Sequence, residues 1–366
     1  MPKRPRLYFV TPQFGRTNGG VGVSAERFTS LLRDRCDFVV ITPDRELQPG
    51  TYSRKSSPGL ELVNFGQMAD LAHARQFVSD VLVHLHGQMP ASRILGFYAA
   101  ELSYAAVLSA GLIGVPFDTF VRGNDVDLGM FGSSTFELFE TFGRAEQIFC
   151  VTRELRHKVS VFVPGTDPIV VPNGVDPVEF PMLERKGSTG KTVVGLFGDI
   201  KPKKGLEFLL SALDWEQCEL RIVGGLRPDA AKSLQAFSQL YPESLSAITH
   251  VPFVKTVPDL LDEIGRVDIV SVPSHHEGMA NIMLEAMSCG KVLLCSAVGG
   301  ALDVIRHNEN GFLHVPRDVD SFRVSLSQAI SAARDSKNPI GLAARQTIEK
   351  DLSIELERKR YRQYYS

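Results

Sequence analysis

The feature that most constrains this chain is a regular alternation of short apolar runs with longer segments of helical periodicity. The runs are rich in Val, Ile, Leu and Phe, and the segments between them place apolar residues three and four positions apart. This alternation predicts βα units, in which helices cover both faces of a parallel sheet. We predict strands at 7–11, 38–42, 60–65, 81–86, 119–122, 148–152, 169–172, 193–197, 220–223, 250–253, 268–272, 292–296 and 312–315. We predict helices at 22–33, 67–78, 92–112, 134–145, 153–162, 318–335 and 339–366.

A polar segment at residues 183–191 interrupts the alternation and has the composition of an inter-domain linker. The chain has 366 residues, which is long for one α/β domain and sufficient for two. We therefore predict an α/β fold of two doubly wound, Rossmann-like domains that face each other across a cleft. The domains are expected at 1–182 and 183–345, and a C-terminal helix within 346–366 is expected to pack back on the first domain. The cleft is the expected active site.

Composition excludes several classes of protein. The formal net charge of -2 provides no basic field for nucleic acid. The five cysteines are scattered and lack C-x-x-C spacing, which argues against a disulfide framework or a zinc site. The longest uncharged stretch, residues 102–117, is too short to span a bilayer, and no signal segment begins the chain. We therefore expect a cytoplasmic protein, with at most peripheral contact with the inner face of a membrane.

The densest chemical signal is the segment 275–287, which follows an apolar strand. The pattern places Glu277 in the strand-to-helix loop and Glu285 in the helix. The free N–H groups of residues 279–282 are then available to a pyrophosphate or to sugar hydroxyls, with two carboxylates as acceptors. In the alternative interpretation, Glu277 complements the helix dipole and Glu285 is a solvated helix residue.

A basic loop opens the second domain, where a strand ends at Gly198 and Lys201, Lys203 and Lys204 precede a helix. Lysines beside the free N–H groups of a helix start suit a diphosphate. The alternative is a solvated cluster of charges. A later strand ends at Gly224-Gly225, where glycines let a ligand approach the backbone.

The second half closely resembles the family-4 retaining glycosyltransferases of the GT-B fold, and the resemblance extends over nearly the whole chain. Glu277 and Glu285 match the family's E-x7-E motif, and Lys204-Gly205 matches its lysine-glycine pair. Further matching segments are 171–176, 298–300 and 310–311. The resemblance implies transfer of a hexose-type sugar from a nucleotide-diphosphate-sugar to an acceptor hydroxyl, with retention of anomeric configuration. It implies neither a metal ion nor another cofactor.

The resemblance also implies roles for individual residues. Glu285 would hold the donor's ribose hydroxyls, Glu277 would contact the transferred sugar, and Lys204 would neutralise the leaving diphosphate. The family usually has an arginine where this chain has Asp199, and Lys201 is the nearest replacement for that charge. The donor site predicted in this way comprises Gly20, Gly22, Gly198, Lys201, Gly225, Val254, Gly278, Met279, Ala280, Asn281, Ile282 and Glu285, and the predicted catalytic residues are Lys204, Glu277 and Arg122.

The first domain contains a partial match to the dinucleotide fingerprint, in which Gly20 and Gly22 precede Ala25 and Asp44 ends the next strand. In that fingerprint the first glycine lies at the turn directly after the strand, whereas here a longer loop intervenes after Pro12. Such a loop is better suited to reach across a cleft than to clamp NAD. In the resembled family a similar loop approaches the donor phosphates and the acceptor.

Three residues are predicted to bind the acceptor because they follow or end strands of the first domain: His86, Asn124 and Asp125. Arg122 stands where the resembled family often has a histidine, and its positive charge suggests an anionic acceptor or a phosphate contact. The alternative for Arg122 and Asp125 is a local ion pair that closes a turn.

The acceptor class remains open among small molecules, lipid-linked molecules and glycans. Two other functions also remain open. A GT-B nucleotide-sugar epimerase would alter the sugar without an acceptor. A non-catalytic, nucleotide-sugar-binding partner of a transferase would account for the unusual Asp199 and Arg122.

Overall fold

A computed structural model describes residues 4–15, 19–184, 190–335, 337 and 339–365. The chain divides into two compact units. The first unit extends to Pro172 and also includes the chain from Glu357 onward, and the second unit comprises Asn173–Leu356.

The first unit is built on an eight-stranded sheet with the order β3-β4-β2-β1-β5-β6-β7-β8. Every pair is parallel except β3 and β4, which form an antiparallel hairpin at the edge. The strands are β1 (Arg6–Val10), β2 (Asp37–Pro49), β3 (Tyr52–Ser57), β4 (Leu60–Gly66), β5 (Arg93–Phe97), β6 (Phe117–Val121), β7 (Gln147–Cys150) and β8 (Ile169–Val170). The helices are α1 (Gly19–Leu32), α2 (Leu71–Gln88), α3 (Leu102–Ile113), α4 (Asn124–Asp127), α5 (Thr135–Arg144) and α6 (Arg153–Phe162).

The predicted strand at 81–86 is wrong, because these residues form the second half of α2. The buried residues of α2 include Ala74, Val78 and Leu82, which recur every four positions and therefore share one helix face. Over a six-residue window this apolar run has the composition of a strand, and only the longer window reveals the helical period. His86 consequently lies in the last turn of a helix, where its Nδ1 accepts the N–H of Ala91 at 3.2 Å.

Two strands of this sheet were not predicted. The edge strand β3 is polar and exposed, so its composition is that of a loop. The strand β5 is short and runs into α3, so that the two were predicted as one helix over 92–112. The uncharged stretch that begins at Leu102 forms α3, which is buried over most of its length. Within the described ranges, no helix is long and apolar enough to cross a membrane.

Aromatic side chains form the core on one face of the first sheet. Phe28 stacks on Phe9 with ring centroids 5.4 Å apart, and Phe120 lies 5.0 Å from Phe149. Tyr361, from the helix α14 (Ile354–Tyr361), packs edge-on against Phe28 at 4.9 Å and is 1% exposed. This ring packing anchors the end of the chain to the first unit.

The second unit is built on a six-stranded, fully parallel sheet with the order β11-β10-β9-β12-β13-β14. Its strands are β9 (Thr192–Phe197), β10 (Cys218–Val223), β11 (Ile248–Val251), β12 (Ile269–Val272), β13 (Val292–Ser296) and β14 (Phe312–His314). Its helices are α7 (Leu206–Ala212), α8 (Pro228–Leu240), α9 (Val257–Gly265), α10 (Asn281–Ser288), α11 (Gly300–Val304), α12 (Val319–Arg334) and α13 (Ile340–Asp351). Strand order reverses between β9 and β12, and this topological switch point is where such sheets bind ligands.

The second unit begins before the predicted linker because the segment after Pro172 packs within that unit. The Arg345 guanidinium of α13 donates to the carbonyl oxygens of Phe180 at 2.7 Å and Pro177 at 3.1 Å. The Leu183 N–H donates to the carbonyl of Cys289 at 3.1 Å. Of the predicted linker, residues 185–189 lie outside the described residues.

Candidate active site at the switch point of the second sheet

The loops that follow β9 and β12 meet at the carboxyl edge of the second sheet. After β9 the chain makes a short 3₁₀ turn at Pro202–Lys204 and enters α7 through Gly205. A Cβ atom on Gly205 would lie 2.2 Å from the carbonyl oxygen of Pro273, so the two loops touch backbone to backbone. This contact brings the basic loop against the loop that carries Glu277.

The Glu277 carboxylate pairs with two lysines from the neighbouring loop. Lys204 Nζ lies 2.6 Å from Glu277 Oε2, and Lys203 Nζ lies 3.6 Å from Oε1. The Glu277 side chain is 16% exposed. Burial alone would raise the pKa of Glu277, but Lys204 and Lys203 outweigh it and hold the pKa below its usual value. Burial lowers the pKa of Lys203, and Glu277 opposes that shift. Glu277 is therefore an ionised carboxylate beside two cations.

Two glycines support the Glu277 backbone from the loop after β13. The N–H of Gly300 donates to the carbonyl oxygen of Gly278 at 2.6 Å. Gly299 has a φ of +49°, and a Cβ atom there would lie 1.9 Å from the carbonyl oxygen of Glu277. Only glycine allows this approach, so the turn after β13 sets the position of Glu277.

The helix α10 begins at Asn281 and points its first turn toward the same loop. Its N-cap, Ala280, provides no side-chain hydrogen bond, and the N–H of Met283 donates to the carbonyl oxygen of Ala280 at 3.1 Å. The N–H groups of Asn281 and Ile282, at the first two helical positions, have no intrahelical acceptor. Buried Asn173 donates through Nδ2 to Asn281 Oδ1 at 2.9 Å and to the carbonyl of Met279 at 3.5 Å. The helix start is thereby positioned with N–H groups and the positive end of its dipole available for an anion.

The predicted placement of the two glutamates is confirmed, since Glu277 lies in the loop before α10 and Glu285 lies within α10. Glu285 follows Asn281 by four residues and so shares its face of the helix. The predicted set Gly278, Met279, Ala280, Asn281 and Ile282 forms the loop end and first turn of the same helix.

The acidic residue after Gly198 is paired with an arginine that the sequence did not indicate. Asp199 Oδ1 and Oδ2 accept from Arg227 Nε at 2.8 Å and Nη2 at 2.7 Å. Lys201 Nζ lies 3.4 Å from Asp199 Oδ2. Gly225 lies in the turn between β10 and Arg227, and a Cβ atom there would lie 3.9 Å from Asp199 Oδ1. Lys201 and Arg227 therefore both neutralise the charge of Asp199.

The predicted donor-site residue Val254 lies in the loop after β11.

In the first unit, Asp125 closes a turn through backbone N–H groups, whereas the alternative interpretation expected an ion pair with the Arg122 side chain. The carboxylate is 1% exposed and accepts the N–H groups of Ala99 at 2.9 Å, Arg122 at 2.9 Å and Gly123 at 2.7 Å. Burial raises the pKa of Asp125, and these backbone N–H groups oppose the rise. Because its oxygens are used in this way, we leave Asp125 out of the proposed acceptor site.

The Arg122 side chain faces the aromatic core and the C-terminal helix. Its guanidinium carbon lies 4.9 Å from the centre of the Phe97 ring, and the side chain hydrogen-bonds to Tyr361. Burial lowers its pKa, while Tyr361 and Glu357 favour the charged form. These contacts give Arg122 a structural use that the sequence pattern did not indicate.

The remaining predicted residues of the first unit lie at separate places. Asn124 begins α4 and lies within the turn that Asp125 closes, and Gly20 and Gly22 lie in the first turn of α1. Of the loop before α1, residues 16–18 lie outside the described residues. The position of His86 within α2 removes the strand-end argument that assigned it to the acceptor. Across the described part of the chain, no three His, Cys, Asp or Glu side chains are grouped to hold a metal ion.

We expect Gly299→Ala to displace the Glu277 loop, because the new Cβ atom would overlap the Glu277 carbonyl and the residue would keep a positive φ. The expected loss of stability is about 1–3 kcal/mol, measured as the change in urea unfolding of the second unit. Gly265→Ala at the end of α9 is the matched control, since no atom lies within 4 Å of its Cβ position. Equal effects of the two substitutions would contradict the supporting role of Gly299.

The lowered pKa of Glu277 predicts a pH-dependent contribution to stability. A carboxylate whose pKa is lower in the folded chain stabilises the fold above its ordinary pKa of 4.5, and this contribution disappears as pH falls through the folded pKa. Glu277→Gln should therefore lose about 1–3 kcal/mol at neutral pH and differ little from wild type in acid. Thermal unfolding of both proteins between pH 3 and 8 measures the difference in their stability. A difference in stability that does not become smaller in acid would contradict a stabilising ion pair at Glu277.

Comparison with known proteins finds a family match within the second unit. Residues 183–347 match the family model of glycosyl transferases group 1. An uncharacterized glycosyltransferase of Methanocaldococcus jannaschii is 26% identical over 50% of this chain and 51% of its own length. The D-inositol 3-phosphate glycosyltransferase of Xylanimonas cellulosilytica is 31% identical over 39% of this chain and 38% of its own length. The chain thus spans about half the length, or less, of these two relatives. The α-maltose-1-phosphate synthase of Mycolicibacterium smegmatis is 23% identical over 92% of both chains.

Solved structures show the same fold over the whole chain. Sucrose-phosphate synthase of Thermosynechococcus elongatus superimposes with a TM-score of 0.83 over 99% of this chain and 98% of its own, at 15% identity. Anabaena HepE, solved with UDP, superimposes with a TM-score of 0.76 over 98% of both chains, at 16% identity. The predicted fold class is confirmed, since the chain has a two-domain, Rossmann-like GT-B fold.

Proposed function

We propose that this chain is a family-4 retaining glycosyltransferase, which transfers a hexose-type sugar from a nucleotide-diphosphate-sugar to an acceptor hydroxyl. The observation that carries the proposal is the Lys204–Glu277 pair at the switch point, beside the uncapped start of α10. The site combines cations and helix N–H groups for a diphosphate with carboxylates for hydroxyls. The relatives whose names state a glycosyltransferase or synthase activity support it.

In the proposed reaction the bond between the sugar C1 and the diphosphate oxygen breaks, and C1 bonds to the acceptor oxygen while the acceptor proton is released. Catalysis would come from stabilising the departing diphosphate and from holding the acceptor hydroxyl close. Lys204 uses one ammonium N–H toward Glu277 and has others for the diphosphate. The N–H groups at the start of α10 would share that charge. We propose that these groups suffice without a metal ion.

The two carboxylates have separate roles in this proposal. Glu277 would accept hydrogen bonds from hydroxyls of the transferred sugar, and its pairing with Lys204 and Lys203 keeps it ionised for that role. Glu285, further along α10, would hold the hydroxyls of the donor's ribose. Because HepE was solved with UDP, UDP is the first nucleotide to test.

Binding of UDP, GDP, ADP and their common sugar conjugates tests the donor site directly. One nucleotide series should raise the melting temperature of the wild type, and Glu285→Ala should weaken its binding by at least about tenfold, because hydrogen bonds to a charged carboxylate are lost. Glu309→Ala, at a surface ion pair of the same unit, is the matched control. The absence of any nucleotide response in the wild type would overturn the proposal.

Incubation with the same donor, with and without an acceptor, then distinguishes sugar transfer from epimerisation. Incubation with the donor alone should leave the sugar unchanged except for slow hydrolysis, and an acceptor should be required for release of the nucleoside diphosphate. A changed sugar in the absence of acceptor would favour the GT-B epimerase. The anomeric configuration of the product, read by NMR, tests retention.

A further inference from the structure

The carboxyl edge of the second sheet carries a second Arg–carboxylate pair, separate from Lys204 and Glu277. Arg227 follows the turn after β10, and its N–H donates to the carbonyl oxygen of Ile200 at 3.2 Å. An isolated bridge also pairs Ile200 with Leu226. These contacts place Arg227 directly beside the loop after β9, which is the loop that continues to Lys203 and Lys204.

The geometry of this pair leaves part of the guanidinium available. Asp199 uses both carboxylate oxygens, and Arg227 meets them with Nε and Nη2 in a bidentate arrangement. A guanidinium has five N–H donors, so Nη1 and the second N–H of Nη2 are not needed for this pair. The Arg227 side chain is 50% exposed and the Asp199 side chain 32%, so the pair lies at the surface of the edge and a ligand can reach it.

If a diphosphate binds at this edge, a cation such as Arg227 is needed to offset the negative charge of Asp199. Asp199 stands one residue after Gly198 and, taken alone, would repel a diphosphate. Burial opposes its ionisation, yet Arg227 and Lys201 keep the pKa of Asp199 below its usual value, so the carboxylate is charged. The pair with Arg227 cancels that charge, and a bidentate guanidinium suits phosphate oxygens as well as carboxylate oxygens.

We propose that Arg227 is a diphosphate-binding residue, which Asp199 holds at the carboxyl edge of β9 and β10. Asp199 fixes the guanidinium through Nε and Nη2, and the other N–H groups bind the diphosphate of the donor. The inference rests on the proposed function, because it requires a nucleoside diphosphate at this edge. It assigns to the loop after β10 a cation that acts together with Lys204 on the neighbouring loop.

The test compares diphosphates with monophosphates. UDP, GDP and ADP, each alongside UMP, GMP or AMP, are titrated into wild type and Arg227→Gln by calorimetry. Arg227→Gln should weaken binding of the responding diphosphate about tenfold or more, and should change binding of the matching monophosphate by less than about threefold. A double variant that adds Asp199→Asn to Arg227→Gln should recover only part of the lost affinity, because a neutral amide at position 199 removes the repulsion without replacing the lost guanidinium.

Arg221→Gln is the matched control. Arg221 lies in β10 of the same sheet and forms a bidentate pair with Glu263 of α9. It should leave the ratio of diphosphate to monophosphate affinity unchanged, even where it lowers the melting temperature. Unchanged diphosphate binding in Arg227→Gln would overturn the inference. Full recovery of diphosphate affinity in the double variant would also overturn it, because Arg227 would then act only by neutralising the charge of Asp199. If the wild type binds none of the six nucleotides, the proposed function fails, and the inference fails with it.

Discussion

The ion pair between Lys204 and Glu277 is the interaction on which the proposed site depends, because it joins the two loops that flank the switch point. Lys204 comes from the loop after β9 and Glu277 from the loop after β12, and their charged atoms lie 2.6 Å apart. In a parallel sheet these loops diverge to opposite faces after the strands end. The pair holds a cation and a carboxylate together at that opening, where a ligand with both phosphates and hydroxyls can meet each of them.

Close backbone contacts give this pair its fixed position. Gly205 meets Pro273 and Gly299 meets Glu277 at distances that leave no room for a Cβ atom. Asn173 reaches the start of α10 from the segment that opens the second unit. Main-chain packing therefore orients the carboxylate and the helix start before any ligand arrives, which is the arrangement that electrostatic catalysis needs.

Much of this arrangement can be predicted from the sequence, because apolar runs and a local motif carry it. The strand at Val292–Ser296 and the helix at Arg153–Phe162 lie where periodicity placed them, and the apolar strand before the segment 275–287 placed Glu277 in a loop and Glu285 in a helix. The pairing of Arg227 with Asp199 could not be predicted, since the two residues lie 28 positions apart and meet only through the register of β9 and β10. The run at 81–86 was predicted wrongly because six apolar-rich residues suit a strand as well as a helix.

A crystal structure of the chain with a bound nucleoside diphosphate would decide whether the switch point of the second sheet binds the diphosphate of the donor. We predict phosphate oxygens within hydrogen-bonding distance of Lys204 Nζ and of N–H groups in the first turn of α10, with the ribose at Glu285. A nucleotide bound at the Gly20–Gly22 turn of the first unit, with Lys204 and α10 untouched, would exclude the proposed site.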